Sequence, residues 1–422
     1  MIDYHEAQKL IEEQTKPLNA IKLPLMETLG YTLAKNIIAK YPIPTFNSSA
    51  VDGFAVNVNG LKLFSHKNQV SLKVQAVIQA GDTRKHSLKN NHTFKIFTGA
   101  LVPRNINTVV MKEDVEEIGG NVIFKTLPEV GTNIRKCGGE FSKGALVLSS
   151  GVIITPPVLG LLASLGNASV NVYRKPKVSI IVTGNELKKF SEQIKPGEIR
   201  DSNLPSLLAA LQLLNIQPEY AMSVKDQKRE IQKAIQKALK ISDVVITAGG
   251  VSVGDYDFVK DVCSSLGIKT VFWRAAIKPG KPLLFGTKGK KLIFGVPGNP
   301  VAALLSFYLF IKPTLLRMMG QTEKQNFIQT AVLESDLRKR AGRLEFVRGI
   351  FIKKPDGKLV VNPTKGQDSH MLGGFANANC LIHFPKDENV IMKGTSVKIE
   401  LLKWDINQRA MSEEHRATNK KQ

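Results

Sequence analysis

The residues best suited to chemistry fall in four short loops. AGGVSVGDYD (248–257) joins Gly249 and Gly250 to two carboxylates, Asp255 and Asp257, between a strand-like apolar run and a helical one. Glycines let the backbone approach a ligand closely, and free amides at a helix N-terminus attract an anion such as phosphate. Carboxylates at the same point fit a bridging Mg²⁺, which reconciles phosphate with acid. The plainer reading of Asp255 is a helix cap. IKPGKPLLFG (277–286) sets Lys278 and Lys281 about a tight Pro-Gly turn, either reaching one anionic pocket or solvated at the surface. Pro282 follows Gly280-Lys281, so this is not a Walker A loop. VPGNP (296–300) offers the backbone of Pro297 and Gly298, with Asn299 as a helix cap. TGNE (183–186) contributes Glu186. Together the loops describe a metal-assisted phosphate site better than any one alone.

The stretch Gly250-Val251-Ser252-Val253-Gly254 also matches G-x-S-x-G, the nucleophile elbow of α/β-hydrolases. An elbow needs a later histidine, and the candidates His370, His383 and His415 all lie beyond the α/β segment. Labelling of Ser252 by a fluorophosphonate discriminates this reading. Two further polar clusters, PTFNSSAVDGFAV (44–56) with Asp52 and GQDSHMLGGFANAN (366–379), read either as plain loops or as parts of a site.

The elements that must position these loops follow from periodicity. From 176 to 320 strands and helices alternate: strands at 176–184, 216–224, 242–250, 269–274 and 291–298, and helices at 203–214, 226–240, 255–266 and 300–319. That rhythm predicts an open, mostly parallel sheet with helices on both faces, with ligands outside the carboxyl ends of its strands. Asp3 and Glu6 open a helix with Ala7, Leu10 and Ile11 on one face. Val70, Leu72, Val74, Ala76 and Ile78 alternate strictly, which predicts a strand with one buried face. Further strands at 93–98, 107–117 and 121–127 complete a small β-rich unit. Residues 326–403 read as a β-barrel or sandwich with a hairpin turn at Asp356-Gly357, and 406–422 as a disordered polar tail. The boundaries expected are 1–45 with 141–175 (an elongated N-terminal domain), 46–140, 176–320 and 321–405.

Composition narrows the function classes. Of 422 residues 59 are basic and 36 acidic, a formal net charge of +23, and over half the surplus lies in 171–320. It is scattered lysine without a basic run, so nucleic acid is not needed as a partner, and an anionic ligand in the middle segment is the sharper reading. Cys137, Cys263 and Cys380 are too few and too far apart for a disulfide framework or a zinc site, which fits a reducing compartment. The N-terminus lacks the apolar core of a signal peptide, and the longest apolar stretch, 301–311, is too short for a bilayer span. A soluble cytoplasmic protein, without membrane attachment, is expected.

These motifs, in this order and with IFTGA (96–100), GTNIR (131–135), GEIRDSN (197–203) and GRLEFVRG (342–349), resemble the MoeA family of molybdopterin molybdenumtransferases, relatives of the gephyrin E domain. The resemblance runs through nearly the whole chain. It implies insertion of molybdenum from molybdate into adenylylated molybdopterin with release of AMP, Mg²⁺ dependence and a homodimer of four-domain subunits. It also implies molybdopterin adenylyltransferase and acceptor molybdoenzymes as partners. Carried over by motif, the functional positions are Asp52, Thr98, Glu186, Asp226, Asp257, Lys278, Lys281, Arg348 and Ser369. Asp52, Glu186 and Asp257 would hold the metal; Gly249, Gly250, Ser252, Pro297, Gly298 and Asn299 would line the substrate. Two positions depart from the family pattern: Glu140 stands for an aspartate and Arg274 for a lysine, its fork suited to phosphate or molybdate oxygens. Competing readings are an adenylyltransferase, which would consume ATP and free molybdopterin, and an idle scaffold like the receptor-clustering relative.

Overall fold

The structure is a computed structural model that describes residues 1–61, 70–126, 129–251, 258–321 and 328–402. The chain forms two compact units: Met1–Lys22 with Gly30–Thr32 and Asn171–Gln422, and Leu23–Leu29 with Leu33–Val170. The expected tail, 406–422, lies outside the described residues.

The first unit opens with α1 (Tyr4–Gln14), whose N-cap Asp3 accepts a hydrogen bond from the His5 amide. Tyr4, Ala7 and Ile11 form the buried stripe of this helix. In the second unit a six-stranded sheet contains β1 (Gly53–Val56), β2 (Val70–Ile78), β3 (His92–Ile96), β4 (Thr108–Met111), β5 (Val115–Ile118) and β6 (Asn121–Phe124), in the order β4-β1-β3-β2-β6-β5, and α2 (Pro156–Ser164) follows it in the chain. The single buried face expected for β2 is corrected by a β-bulge. The register against β3 shifts between Val74 and Ala76, so Val70 and Leu72 join one apolar cluster and Ile78 the other. An extra residue turns every later side chain to the opposite face.

The central sheet lies in the first unit. It comprises β7 (Val178–Thr183), β8 (Pro218–Val224), β9 (Val244–Ala248), β10 (Lys269–Trp273), β11 (Leu284–Lys288) and β12 (Lys291–Val296), ordered β8-β7-β9-β12-β11-β10. β8, β7, β9 and β12 are parallel. The β10 and β11 edge is antiparallel. Residues 284–286, expected within the loop 277–286, instead begin β11, which returns through Gly289-Lys290 as a hairpin with β12. Alternate residues of each strand enter two cores. Ile180, Val182, Ile246 and Phe294 pack with α1, with α3 (Asn203–Gln212) and with α6 (Pro300–Met318). Ile181, Val245 and Ile293 pack with α4 (Lys228–Ile241) and α5 (Val259–Ser265). α4 shows why such a sequence is helical: Ile231, Ala234, Ile235, Ala238 and Leu239 share one face, and lysines take the other.

The long helix expected over 300–319 is present as α6 and carries the apolar stretch 301–311. α6 runs 19 residues, long and apolar enough by length and composition to cross a bilayer, yet it is mostly buried in this core. A π-helical segment, Phe307–Ile311, lies within it.

The C-terminal strands β13 (Ile328–Leu333), β14 (Leu344–Lys353), β15 (Leu359–Pro363), β16 (Cys380–Phe384) and β17 (Ser396–Leu401) pair around a ring, β14-β15-β13-β17-β16-β14, and close a barrel. Closure leaves no free edge in the ring. The expected turn holds: Gly357 has φ +84° and the Lys358 amide donates to Asp356 Oδ1.

Candidate active site

Because β7, β9 and β12 are adjacent and parallel, the loops after them emerge at one edge of the sheet, where a cleft of about 1030 Å³ opens. Three cross-links fix its floor. The Gly249 amide donates to Val296 O at 3.1 Å, Asn203 Nδ2 donates to Gly298 O at 2.6 Å, and the Gly184 amide donates to Val224 O at 3.2 Å. Gly249 has φ +97°, and a Cβ there would meet the Thr183 carbonyl oxygen at 2.5 Å, so only glycine fits.

Of the residues singled out from sequence, Glu186, Asp226, Gly249, Gly250, Lys278, Lys281, Pro297, Gly298, Asn299 and Ser369 line this cleft. Gly250-Val251 leads into 252–257, so Ser252, Asp255 and Asp257 lie outside the described residues. Asn299 heads α6, but its side chain does not cap the helix as expected. Its Nδ2 instead donates to Ser369 Oγ at 2.9 Å, and the Val301 amide donates to Ser369 O, joining the helix start to the 366–370 loop.

Two predicted ligand-binding residues sit elsewhere. Arg348 is 1% exposed, and its Nη2 donates to Gly366 O at 2.8 Å and Asp368 O at 3.3 Å. Its contribution is to shape the loop that carries Asp368 and Ser369 into the cleft. Arg274 has φ +90° and stacks its guanidinium on the Trp273 ring, 4.2 Å from the centroid.

Asp52, Thr98 and Glu140 belong to the other compact unit. There Asp52 Oδ1 accepts from the Thr98 amide at 2.8 Å and the Thr98 hydroxyl at 2.7 Å. The amide bond above all, then the hydroxyl bond, holds the carboxyl below its ordinary value. Glu140 is exposed, with its amide donating to Ile43 O.

The sequence reading missed several groups. Asp201, 7% exposed, accepts from the Asn203 and Leu204 amides and from Ser223 Oγ, and so positions Asn203. Thr183 Oγ1 and Asn203 Oδ1 are buried beside the cleft without a hydrogen-bond partner among the described residues. Arg200, Arg343 and His370 also line it. The signal in the sequence is the polar run Arg200-Asp201-Ser202-Asn203 at the start of a helix.

Among the described residues no three metal-ligating side chains cluster. Glu186 and Asp226 nonetheless place two carboxylates beside the amide-lined floor. Mg²⁺ is commonly held by one or two carboxylates plus substrate phosphates and water, so this donor set fits it.

Models of three family regions match the chain in succession: the MoeA N-terminal region (domains I and II) over 2–166, a probable molybdopterin-binding domain over 179–317, and the MoeA C-terminal region (domain IV) over 330–402. The molybdopterin molybdenumtransferase of Haemophilus influenzae is 34% identical over 93% of this chain and 96% of its own length. The chain belongs to the MoeA family. The Bacillus subtilis molybdopterin molybdenumtransferase is also 34% identical, over 90% of this chain and 89% of its own. The crystal structure of the molybdopterin biosynthesis MoeA protein from Pyrococcus horikoshii OT3 superposes with a TM-score of 0.80 at 29% identity, covering 95% of this chain and all of that one. This member of the MoeA family is accordingly an enzyme of the transferase class, whose α/β sheet matches a probable molybdopterin-binding domain and whose C-terminal strands close a barrel.

Proposed function

We propose that the enzyme inserts molybdenum from molybdate into adenylylated molybdopterin and releases AMP, the last step of molybdenum-cofactor synthesis. The observation that carries this reading is the cleft itself. One sheet edge brings together the Gly249, Gly250 and Gly298 backbone, the Lys278 and Lys281 ammonium groups, and the Glu186 and Asp226 carboxylates. Backbone amides and lysines suit the phosphoryl oxygens of a pyrophosphate linkage, where charge develops as it breaks.

In this reading Glu186, with Asp257 of the neighbouring loop, would hold Mg²⁺, which supplies Lewis-acid neutralisation of the linkage when bound. Lys278 and Lys281 orient the phosphates, and the 366–370 loop, shaped by Arg348, presents Ser369 toward molybdate or the terminal phosphate. Water cleaves the linkage and AMP leaves. Molybdenum exchanges one oxo group, lost as water with the two thiol protons, for the two dithiolene sulfurs. We further read the working form as a cytoplasmic homodimer of four-domain subunits, supplied by a molybdopterin adenylyltransferase and serving acceptor molybdoenzymes.

The test supplies adenylylated molybdopterin, molybdate and Mg²⁺ and measures AMP. Release that stops with a chelator and with Asp257→Ala is expected. No release, or undiminished release by that variant, sinks the assignment.

A further inference from the structure

Lys278 reaches the cleft from a two-residue strand, Ile277–Lys278, that pairs in parallel with the start of barrel strand β14. In that register Ile277 lies beside Leu344 and Lys278 beside Glu345. Neighbouring residues across a ladder send their side chains to the same face. The pairing therefore brings Glu345 Oε1 to 3.0 Å from Lys278 Nζ. Two further bonds tie the strands: the Leu344 amide donates to Ala276 O at 3.1 Å, and Arg343 Nη1 donates to Ile277 O at 3.3 Å.

The two partners differ in environment. The Lys278 side chain is 50% exposed at the cleft, and that of Glu345 is 11% exposed. Glu345 Oε2 is buried with no hydrogen-bond partner among the described residues. Lys339 and Arg348 also feel the Glu345 charge, and Lys339 Nζ donates to Arg343 O at 2.6 Å. A buried ion pair is weak evidence of stabilisation, since desolvation offsets much of its attraction. A fixed counter-charge behind a flexible lysine has a clearer use. The ion pair restrains where the ammonium sits and leaves its N–H groups available to an anion in the cleft.

We propose that Glu345 is a positioning residue for the transfer reaction: from the barrel wall it holds the Lys278 ammonium in place for the phosphoryl group. The inference rests on the function proposed above and deepens it. It also gives the C-terminal barrel a part in the chemistry of the α/β cleft.

The test is Glu345→Gln, which preserves shape and an acceptor but removes the charge. It is read by single-turnover AMP release from adenylylated molybdopterin with enzyme in excess. The maximal rate is expected to fall by about tenfold or more through lost orientation. The half-saturating concentration should not rise, because a negative charge beside an anion pocket has been removed. In a Lys278→Ala background the same substitution should change the rate less than twofold.

An unchanged rate in Glu345→Gln, a weakened half-saturation in place of a slowed step, or an equal loss in both backgrounds overturns the proposal. Equal loss would assign Glu345 to the barrel alone. If Lys278→Ala gives too little AMP to measure, the split between rate and half-saturation in Glu345→Gln decides. Thermal melting of each variant separates misfolding from a slowed step, and Lys278→Met tests the pair from its other side. A wild-type enzyme that releases no AMP overturns both readings, whereas an active wild type with additive variants overturns only the role of Glu345.

Discussion

Replacing Gly249 by alanine tests the floor of the cleft most directly. The new methyl group would lie 2.5 Å from the Thr183 carbonyl oxygen and 2.7 Å from Thr183 Oγ1, at a residue whose φ is +97°. Thr183 ends β7, which is buried along its length and paired on both sides, so that oxygen has little room to retreat. Two costs add. A side chain held at that φ costs about 1–3 kcal/mol. Overpacking costs about 1–3 kcal/mol more, so the variant should lose about 2–6 kcal/mol if the loop keeps its place. That is a large part of an ordinary stability of about 5–15 kcal/mol. Where the loop shifts instead, the Gly249 amide leaves Val296 O and the anion cradle changes. The expected result is a lower urea midpoint with an unchanged slope, together with AMP affinity about tenfold or more weaker, measured by calorimetry. Gly298→Ala is the control. Among the described residues its methyl would meet only Gly249 Cα, at 3.5 Å, an ordinary contact. Its stability should change by less than about 1 kcal/mol. If both variants retain wild-type stability and AMP affinity, the close-approach argument is refuted.

Two other consequences are open to measurement. Arg348→Lys keeps the charge but loses the fork that donates to Gly366 O and Asp368 O. Destabilisation by about 1–3 kcal/mol and a slowed transfer step are expected, and a variant with wild-type urea unfolding and turnover removes the loop-shaping role. Asp52 has a carboxyl held below its ordinary value of 3.8, chiefly by the Thr98 amide. Its contribution to stability is fully present above that value and is lost as pH falls through the lower folded value. Thr98→Val removes the hydroxyl bond, so the Asp52 titration followed by carbonyl NMR should move upward. A midpoint that stays put contradicts the assigned cause.

Much of this architecture is local in origin, and the sequence determined it unaided. The α4 stripe, the apolar runs of β7, β9 and β12, the Asp3 cap and the Asp356-Gly357 turn each depend on residues a few positions apart. Periodicity and turn chemistry therefore reveal them. The glycine and lysine loops could be placed at one sheet edge for the same reason, since parallel strands alternating with helices leave their carboxyl ends together.

Tertiary structure decided what depends on distant pairs. The bulge in β2 changes which face Ile78 occupies, although its alternation is unbroken in sequence. Arg348 looks like a ligand-binding charge until its guanidinium is found bonded to the carbonyls of 366 and 368. Asn299 has the residue type and position of a helix cap, yet it bonds Ser369, 70 residues away. Lys278 acquires its buried counter-charge only because a barrel strand runs in register beside it. In each case the deciding partner is chosen by packing and register across the fold, and those are properties of no short stretch of chain.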